Sequence, residues 1–245
     1  MPLLVRSWNV FHGRTYPPGR HAYLRQAIEL ATEDEPDVLC LQELPSWSLG
    51  RLEEWSGMAM RSARTRYRLG RIGRLPTDVH HGFLRSALTG QANAILLARS
   101  VSVLDHRRRV LSGRLIEWPK ERRVSHGVRI RAVDGQTTVI VNLHLSHTGA
   151  GRSAEAELRS TVGLADELAS DGEPIVLAGD FNLTAASEGM QALVAGGYSP
   201  PPGPGIDHVL VKGVPGTGLS VWPVERRTVD GRVLSDHPLV ELRVG

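Results

Sequence analysis

Six apolar runs in this 245-residue chain end in, or begin from, the side chains that hydrolytic chemistry uses. Leu3–Trp8 ends in Asn9, and Val38–Leu41 in Gln42-Glu43. Asn142-Leu-His144 closes a run that begins at Val139. Ile175–Gly179 ends in Asp180-Phe-Asn182. Asp207-His208 opens Val209–Val211, and Ser235-Asp236-His237 precedes Leu239–Val240. A buried strand has no folding reason to place polar groups at its end, whereas a metal or phosphate site does. One such motif alone is a turn or a satisfied contact. Four carboxylates (Glu43, Asp180, Asp207, Asp236) gathered at one sheet edge repel one another, and a cation offsets that cost. Carboxylate and amide oxygens suit Mg²⁺ or Mn²⁺ better than zinc, for which no Cys cluster or His-x-x-x-His spacing exists. The chemistry implied is metal-dependent phosphoester hydrolysis.

The elements that must position these groups follow from periodicity. Strands are expected at Leu3–Val10, Asp37–Leu44, Ala92–Ala98, Val124–Val133, Thr137–Ser146, Pro174–Phe181, Ile206–Val211, Gly218–Val224 and Leu239–Val244. Asp134-Gly135, between two of them, is a hairpin signal. Helices are expected from about His21 to Asp34, with Leu24, Ala27, Ile28 and Ala31 on one stripe, and over Ser48–Met60, Gly151–Ser170 and Ser187–Ala195. Pro36 stops the first. The Arg-rich stretch from Arg61 and the segment Pro76–Gly90 show no period and read as loop. Gly196–Gly205, dense in Pro and Gly, is a surface loop rather than a linker, because the residues beyond it complete the site. Strands alternating with helices, together with hairpins, give a layered α/β domain with mixed sheets, one domain over residues 1–245.

Composition sets further bounds. Hydrophobic residues are 41% and charged residues 22%, ordinary for a globular protein. No apolar run reaches a membrane span and the start has no secretory layout, so the expected compartment is the cytoplasm. Cys40, the single cysteine, excludes an internal disulfide and reads as a buried apolar side chain. Net charge is only +3, yet 27 of the 29 basic residues are Arg. High-GC coding produces that bias by itself. Arg forks also match phosphate oxygens. Arg61, Arg64, Arg66, Arg68, Arg71 and Arg74 form one cluster, Arg107–Arg109 a second and Arg122-Arg123 a third. Each cluster is either a solvated face or part of a polyanion site. Trp47, Trp55, Trp118 and Trp222 are core residues or, if exposed beside the site, platforms for bases.

With these motifs in this order, from Ser7-Trp-Asn-Val10 to Ser235-Asp-His-Pro238, the chain resembles the endonuclease/exonuclease/phosphatase superfamily. That resemblance implies a four-layer α/β/β/α sandwich with the site at one edge. It implies Glu43 as principal metal ligand, with Asn9 and Asp236 beside it. Asp180 then activates or orients the attacking water, and Asn182 holds the scissile phosphate. Asp207 orients His237, and His144 is a second phosphate-facing histidine. Arg123 and Asn93 match weaker substrate-side positions. Two departures stand out. Phe11 occupies a position where many AP endonucleases carry an acidic residue, and no tyrosine is fixed opposite the site, although Tyr67 and His80-His81 lie in that stretch. His12, a lone imidazole beside an apolar strand, reads as structural or solvent-facing.

The expected activity is Mg²⁺- or Mn²⁺-dependent hydrolysis of a phosphodiester by a monomer, with nucleic acid as partner and no membrane. The alternative substrate is a small or lipid phosphoester. A catalytically dead nucleic-acid-binding module is the reading from another class.

Overall fold

The computed structural model describes residues 2–19, 21–66, 90–112, 122–147, 154–203 and 205–245. Fourteen strands and four α-helices occur among them. The strands are β1 (Leu3–Asn9), β2 (Thr15–Tyr16), β3 (Val38–Pro45), β4 (Ala59–Arg66), β5 (Gln91–Leu97), β6 (Ser102–Ser112), β7 (Arg123–Arg131), β8 (Thr137–His144), β9 (Ile175–Asp180), β10 (Asp207–Lys212), β11 (Gly216–Val221), β12 (Thr228–Val229), β13 (Arg232–Leu234) and β14 (Val240–Val244). The helices are α1 (Leu24–Thr32), α2 (Leu52–Ser56), α3 (Ala154–Leu168) and α4 (Glu188–Ala195).

One sheet runs β11-β14-β1-β3-β5-β4, a second β10-β9-β8-β7-β6, and β12-β13-β2 form a small third. Side-chain alternation along the strands separates three apolar layers. Val38 and Cys40 point inward to meet Ile140, Val176 and Val209 of the facing sheet. Leu39 and Leu41 point outward to Leu24, Ile28 and Leu52 of α1 and α2. Val139, Val141 and Leu143 point to the other flank, against Leu158, Ala165 and Leu168 of α3 and Met190 of α4. The architecture is therefore helix, sheet, sheet, helix, as the resemblance implied. Cys40 is buried in the inter-sheet layer, where loss of solvent pushes its thiol pKa upward.

Three differences from the sequence reading have physical causes. The helix expected over Ser48–Met60 shrinks to Leu52–Ser56 after a 3-10 turn at Ser46–Arg51, because Gly57 takes a left-handed conformation (φ 69) and ends it. The Arg-rich stretch expected as loop begins as β4, which pairs with β5 from Ala59 to Arg66. Strand β6 was not anticipated. As an edge strand it has no fully buried residue, and three successive arginines hide its alternation. Arg68, Arg71, Arg74, Tyr67, His80, His81 and Trp118 lie outside the described residues. The Asp134-Gly135 turn forms as expected, with Gly135 at φ 87 and the Gln136 N–H donating to Asp134 Oδ1.

Register brings the polar strand ends together. Asn9 pairs with Gln42 across β1–β3, His144 with Asp180 across β8–β9, and Asp180 with Asp207 across β9–β10. At Gly179 a Cβ would lie 2.0 Å from the Leu143 carbonyl oxygen. Only glycine lets β9 approach β8 so closely at the residue before Asp180.

Candidate active site

Asp180 stands at the centre. It is 2% exposed. Its Oδ2 accepts the Asn9 amide at 3.0 Å, and its Oδ1 accepts the Asn182 main-chain N–H at 3.0 Å. His144 Nε2 lies 3.4 Å from Oδ2, and His237 Nδ1 lies 4.0 Å from it. Burial, reinforced by the charge of Asp207, raises the Asp180 pKa above the usual carboxylate range.

His237 arrives from the Ser235–Pro238 segment. Its Nδ1 hydrogen-bonds Asp207 Oδ2 at 2.9 Å, leaving Nε2 as the outward nitrogen, 3.9 Å from Asp236 Oδ1. Burial acts against the charged ring. The hydrogen bond and charge of Asp207, with Asp180 and Asp236 beyond, outweigh it and raise the pKa to about 9. The ring is therefore an imidazolium at neutral pH. Its segment is fastened through the backbone. Ser235 Oγ donates to the Asn9 carbonyl at 2.6 Å, the His237 N–H donates to Ser235 Oγ, and Trp8 Nε1 donates to the His237 carbonyl at 3.0 Å. Arg227, 5% exposed, donates from Nη1 to the carbonyls of Leu234, Ser235 and His237 and from Nε to that of Trp222.

Glu43 sits in a β-bulge. Leu41 pairs with Ala94 and Leu44 with Ala92, so Gln42 and Glu43 together face Asn93. The bulge gives Glu43 a positive φ of 55 and turns its carboxylate to the site edge. There Oε1 lies 3.9 Å from His144 Nε2, and Oε2 lies 3.3 Å from His12 Nε2. His144 has Arg123 Nη1 at 2.9 and 3.0 Å from its two ring nitrogens. Burial first, then the charges of Arg123, His237 and His12, hold the His144 pKa well below its usual value, so this ring is neutral.

Beneath the edge, amides staple the sheets. Gln42 Nε2 donates to Asn142 Oδ1 at 2.9 Å, and Asn142 Nδ2 donates to the carbonyls of Leu41 and Ala94 at 3.0 and 2.8 Å. Asn93 Nδ2 donates to the Val124 carbonyl at 3.0 Å.

The match to known proteins decides the family. The model of the endonuclease/exonuclease/phosphatase family matches residues 7–237. The chain belongs to that family. Its members are phosphoester hydrolases. Solved structures of the same fold include a functionally unknown conserved protein from Enterococcus faecalis V583, with 20% identity, TM-score 0.73 and 99% of each chain covered. Another is the mannosyl-6-phosphatase Bt3783 of Bacteroides thetaiotaomicron, with 17% identity, TM-score 0.69 and 99% of each chain covered. The human Nocturnin catalytic domain with bound sulfate is similar at 17% identity and TM-score 0.67, over 100% of this chain and 94% of that one. No curated protein matches the chain.

Endonuclease/exonuclease/phosphatase proteins are typically metal-dependent, and carboxylate oxygens such as these suit a hard cation. Asp180 and Asp207 each place a carboxylate oxygen within 4.8 Å of the other and of the His237 ring, and Asp207 Oδ1 is buried without a hydrogen-bond partner. Such a buried oxygen costs free energy unless something pairs with it.

Most of the residues anticipated from sequence converge here: Glu43, Asp180, Asn182, Asp207, Asp236, His237, His144, Arg123 and Asn9. Two take parts other than the expected ones. Asn9 is fully buried and spends Nδ2 on Asp180 and Oδ1 on the Phe11 N–H, so it holds Asp180 rather than offering an oxygen to a metal. Asn93, expected at the substrate side, is fully buried between the sheets. Asn182 adopts φ 50 and donates Nδ2 to the Leu145 carbonyl. His12 is 8% exposed and faces Glu43 rather than solvent. Arg227 carries no motif and was not anticipated. Its only signal is an Arg–Arg pair just before a short hairpin, which the surrounding arginine bias conceals.

Proposed function

We propose that the chain is a divalent-metal-dependent phosphodiester hydrolase that acts on nucleic acid. The observation that carries the hydrolase reading is the buried Asp180 carboxylate, flanked at 4.0 Å by an imidazolium that Asp207 orients. A divalent ion held by Glu43 and Asp236, with Asp180 and Asp207 at hand, would neutralise phosphate charge and stabilise the leaving oxyanion. The protein's own groups supply the rest. Asp180 Oδ2 accepts the proton of the attacking water, its raised pKa making it a better base than an ordinary carboxylate. Asp207 and Asp180 favour the charged form of His237, which suits it to donate rather than accept a proton. Its Nε2–H instead stabilises charge growing on a phosphoryl oxygen. Asn182 and the neutral His144, backed by Arg123, orient the phosphate for in-line attack.

Arg123 at the site and Arg64 on β4 support a polyanionic substrate. A second reading, a small phosphoester, is favoured by the Arg107–Arg109 run. Arg107 donates to the Glu167 carbonyl, and Arg109 to the Ser160 carbonyl and the Glu167 carboxylate, so two of these three arginines are committed to α3. Trp222 lies in the core, and the partly buried Trp47 and Trp55 pack against it.

The test is hydrolysis of single-stranded DNA, double-stranded DNA, RNA and bis-p-nitrophenyl phosphate with Mg²⁺, Mn²⁺ or EDTA. Metal-dependent cleavage of nucleic acid, abolished in Asp180→Asn and His237→Ala, is the expected result. Turnover of the generic diester alone moves the substrate to a smaller phosphoester. Full activity in both variants overturns the assignment of roles.

A further inference from the structure

We propose that His12 is a positioning residue for Glu43, fixing the carboxylate that is to hold the divalent cation. The inference rests on the hydrolase reading above. His12 is 8% exposed, and its Nε2 lies 3.3 Å from Glu43 Oε2, while the other oxygen, Oε1, faces His144 at 3.9 Å. The two carboxylate oxygens are thus divided between two imidazoles on different elements. An imidazole held 3.3 Å from Oε2 leaves Oε1 for a cation, and outer partners of this kind are how metal sites fix their ligand carboxylates.

The backbone shows what the chain gives up for this contact. Phe11, His12 and Gly13 take φ of 46, 56 and 79 in succession. Gly13 has its own reason, since a Cβ there would stand 3.0 Å from Leu24 N and Cβ at the entry to α1. Phe11 and His12 carry side chains in a conformation that L-residues avoid. Such strain persists only where the surroundings impose it. Here they do. The Phe11 N–H donates to Asn9 Oδ1, Gly13 N–H to the Val10 carbonyl, Tyr23 N–H to the Gly13 carbonyl and Ser235 N–H to the Arg14 carbonyl. Glu43 itself has a positive φ, in its bulge. Two strained backbones on separate elements converge on one carboxylate–imidazole pair.

The test is Mn²⁺ titration of the substrate-free protein by calorimetry, in wild type, His12→Asn and His12→Gln. Asn tolerates the left-handed backbone but is too short to reach Glu43. Gln places an amide N–H where Nε2 lies. The expected result is Mn²⁺ affinity weakened about 10- to 100-fold in His12→Asn and largely restored in His12→Gln. At saturating Mn²⁺ the kcat of His12→Asn returns towards wild type, which a residue touching substrate would not allow. In a Glu43→Gln background, His12→Asn causes no further loss of Mn²⁺ affinity. Unchanged affinity in His12→Asn, or an equal further loss in the Glu43→Gln background, overturns the positioning role. A wild type that binds Mn²⁺ but hydrolyses no phosphoester overturns the hydrolase reading alone, and one that binds no Mn²⁺ overturns both.

Discussion

Arg227 donates from Nη1 to the main-chain carbonyl of His237 at 2.9 Å. The same guanidinium reaches the Leu234 and Ser235 carbonyls at 3.2 Å each. The segment that carries Asp236 and His237 is thus held by its carbonyls, which leaves its side chains to the chemistry. Arg227→Met keeps the bulk and removes the donors. Buried carbonyls then go unpaired, and the expected loss of stability is about 2–4 kcal/mol by urea unfolding. Hydrolysis should fall by more than the unfolded fraction explains. A change under about 1 kcal/mol with normal turnover would show that the clamp is redundant.

The Asn142 amide makes three hydrogen bonds between the two sheets, one of them to Gln42 beside the Glu43 bulge. Asn142→Ala removes the side-chain donor to the Leu41 and Ala94 carbonyls and leaves the Gln42 amide only Ser7 Oγ. A loss of roughly 2–3 kcal/mol is expected, which for a chain of this size is a fall in melting temperature of about 5–10 °C. Scanning calorimetry checks it. A Tm within 2 °C of wild type, by the same scaling, would mean that neighbouring groups re-pair.

Buried His126 sets an acid-side limit on stability. Its Nδ1 lies 3.3 Å from His106 Nε2, and burial first, then His106, lowers its pKa to about 3. In the unfolded chain it titrates near its ordinary value of about 6.5. Between those two values the unfolded state binds the extra proton, so stability falls as pH drops from about 6.5 towards 3, at up to about 1.4 kcal/mol per unit. Above pH 6.5 the group has no effect. The difference in stability between wild type and His126→Gln should therefore slope with pH across this window and flatten above it. A difference that is flat from pH 4 to 8 would contradict a buried neutral imidazole.

The arginine runs are separable by mutation. Arg107 and Arg109 bond to α3, whereas Arg123 stands against His144. With a nucleic-acid substrate, Arg107→Gln should leave KM and its salt dependence unchanged within about twofold. Arg123→Gln should raise KM and lower the salt slope by about one. A steep salt effect at Arg107 would put the nucleic acid on the β6 edge instead.

Much of this site was legible because its carriers interrupt buried strands. A run such as Ile175–Gly179 has one fate in a folded chain, and Asp180 at its end has few reasons to exist other than chemistry. The two faces of β3 and β8 were legible for the same reason. Edge strands were not. Strand β6 has no fully buried residue and three arginines in succession, so no alternation survives to be read. Nor could sequence separate Asn93 from Asn9. Each is an amide next to an apolar run, and only register reveals that one bridges the sheets and the other braces Asp180. The Glu43 bulge was invisible because a bulge is a property of the pairing, two residues of β3 against one of β5, and not of β3 alone.

The interior position of β14, between β11 and β1, has a consequence for how the molecule comes into being. Residues 240–244 insert between β11 and β1, with Leu3 opposite Val244. Until they have left the ribosome, β1 waits with a bare edge, open to pairing with other chains. Docking of β14 both seals that edge and draws in the preceding Ser235–His237 segment. Completion of the sheet and assembly of the site are therefore coupled, so folding chains should acquire turnover and resistance to aggregation together.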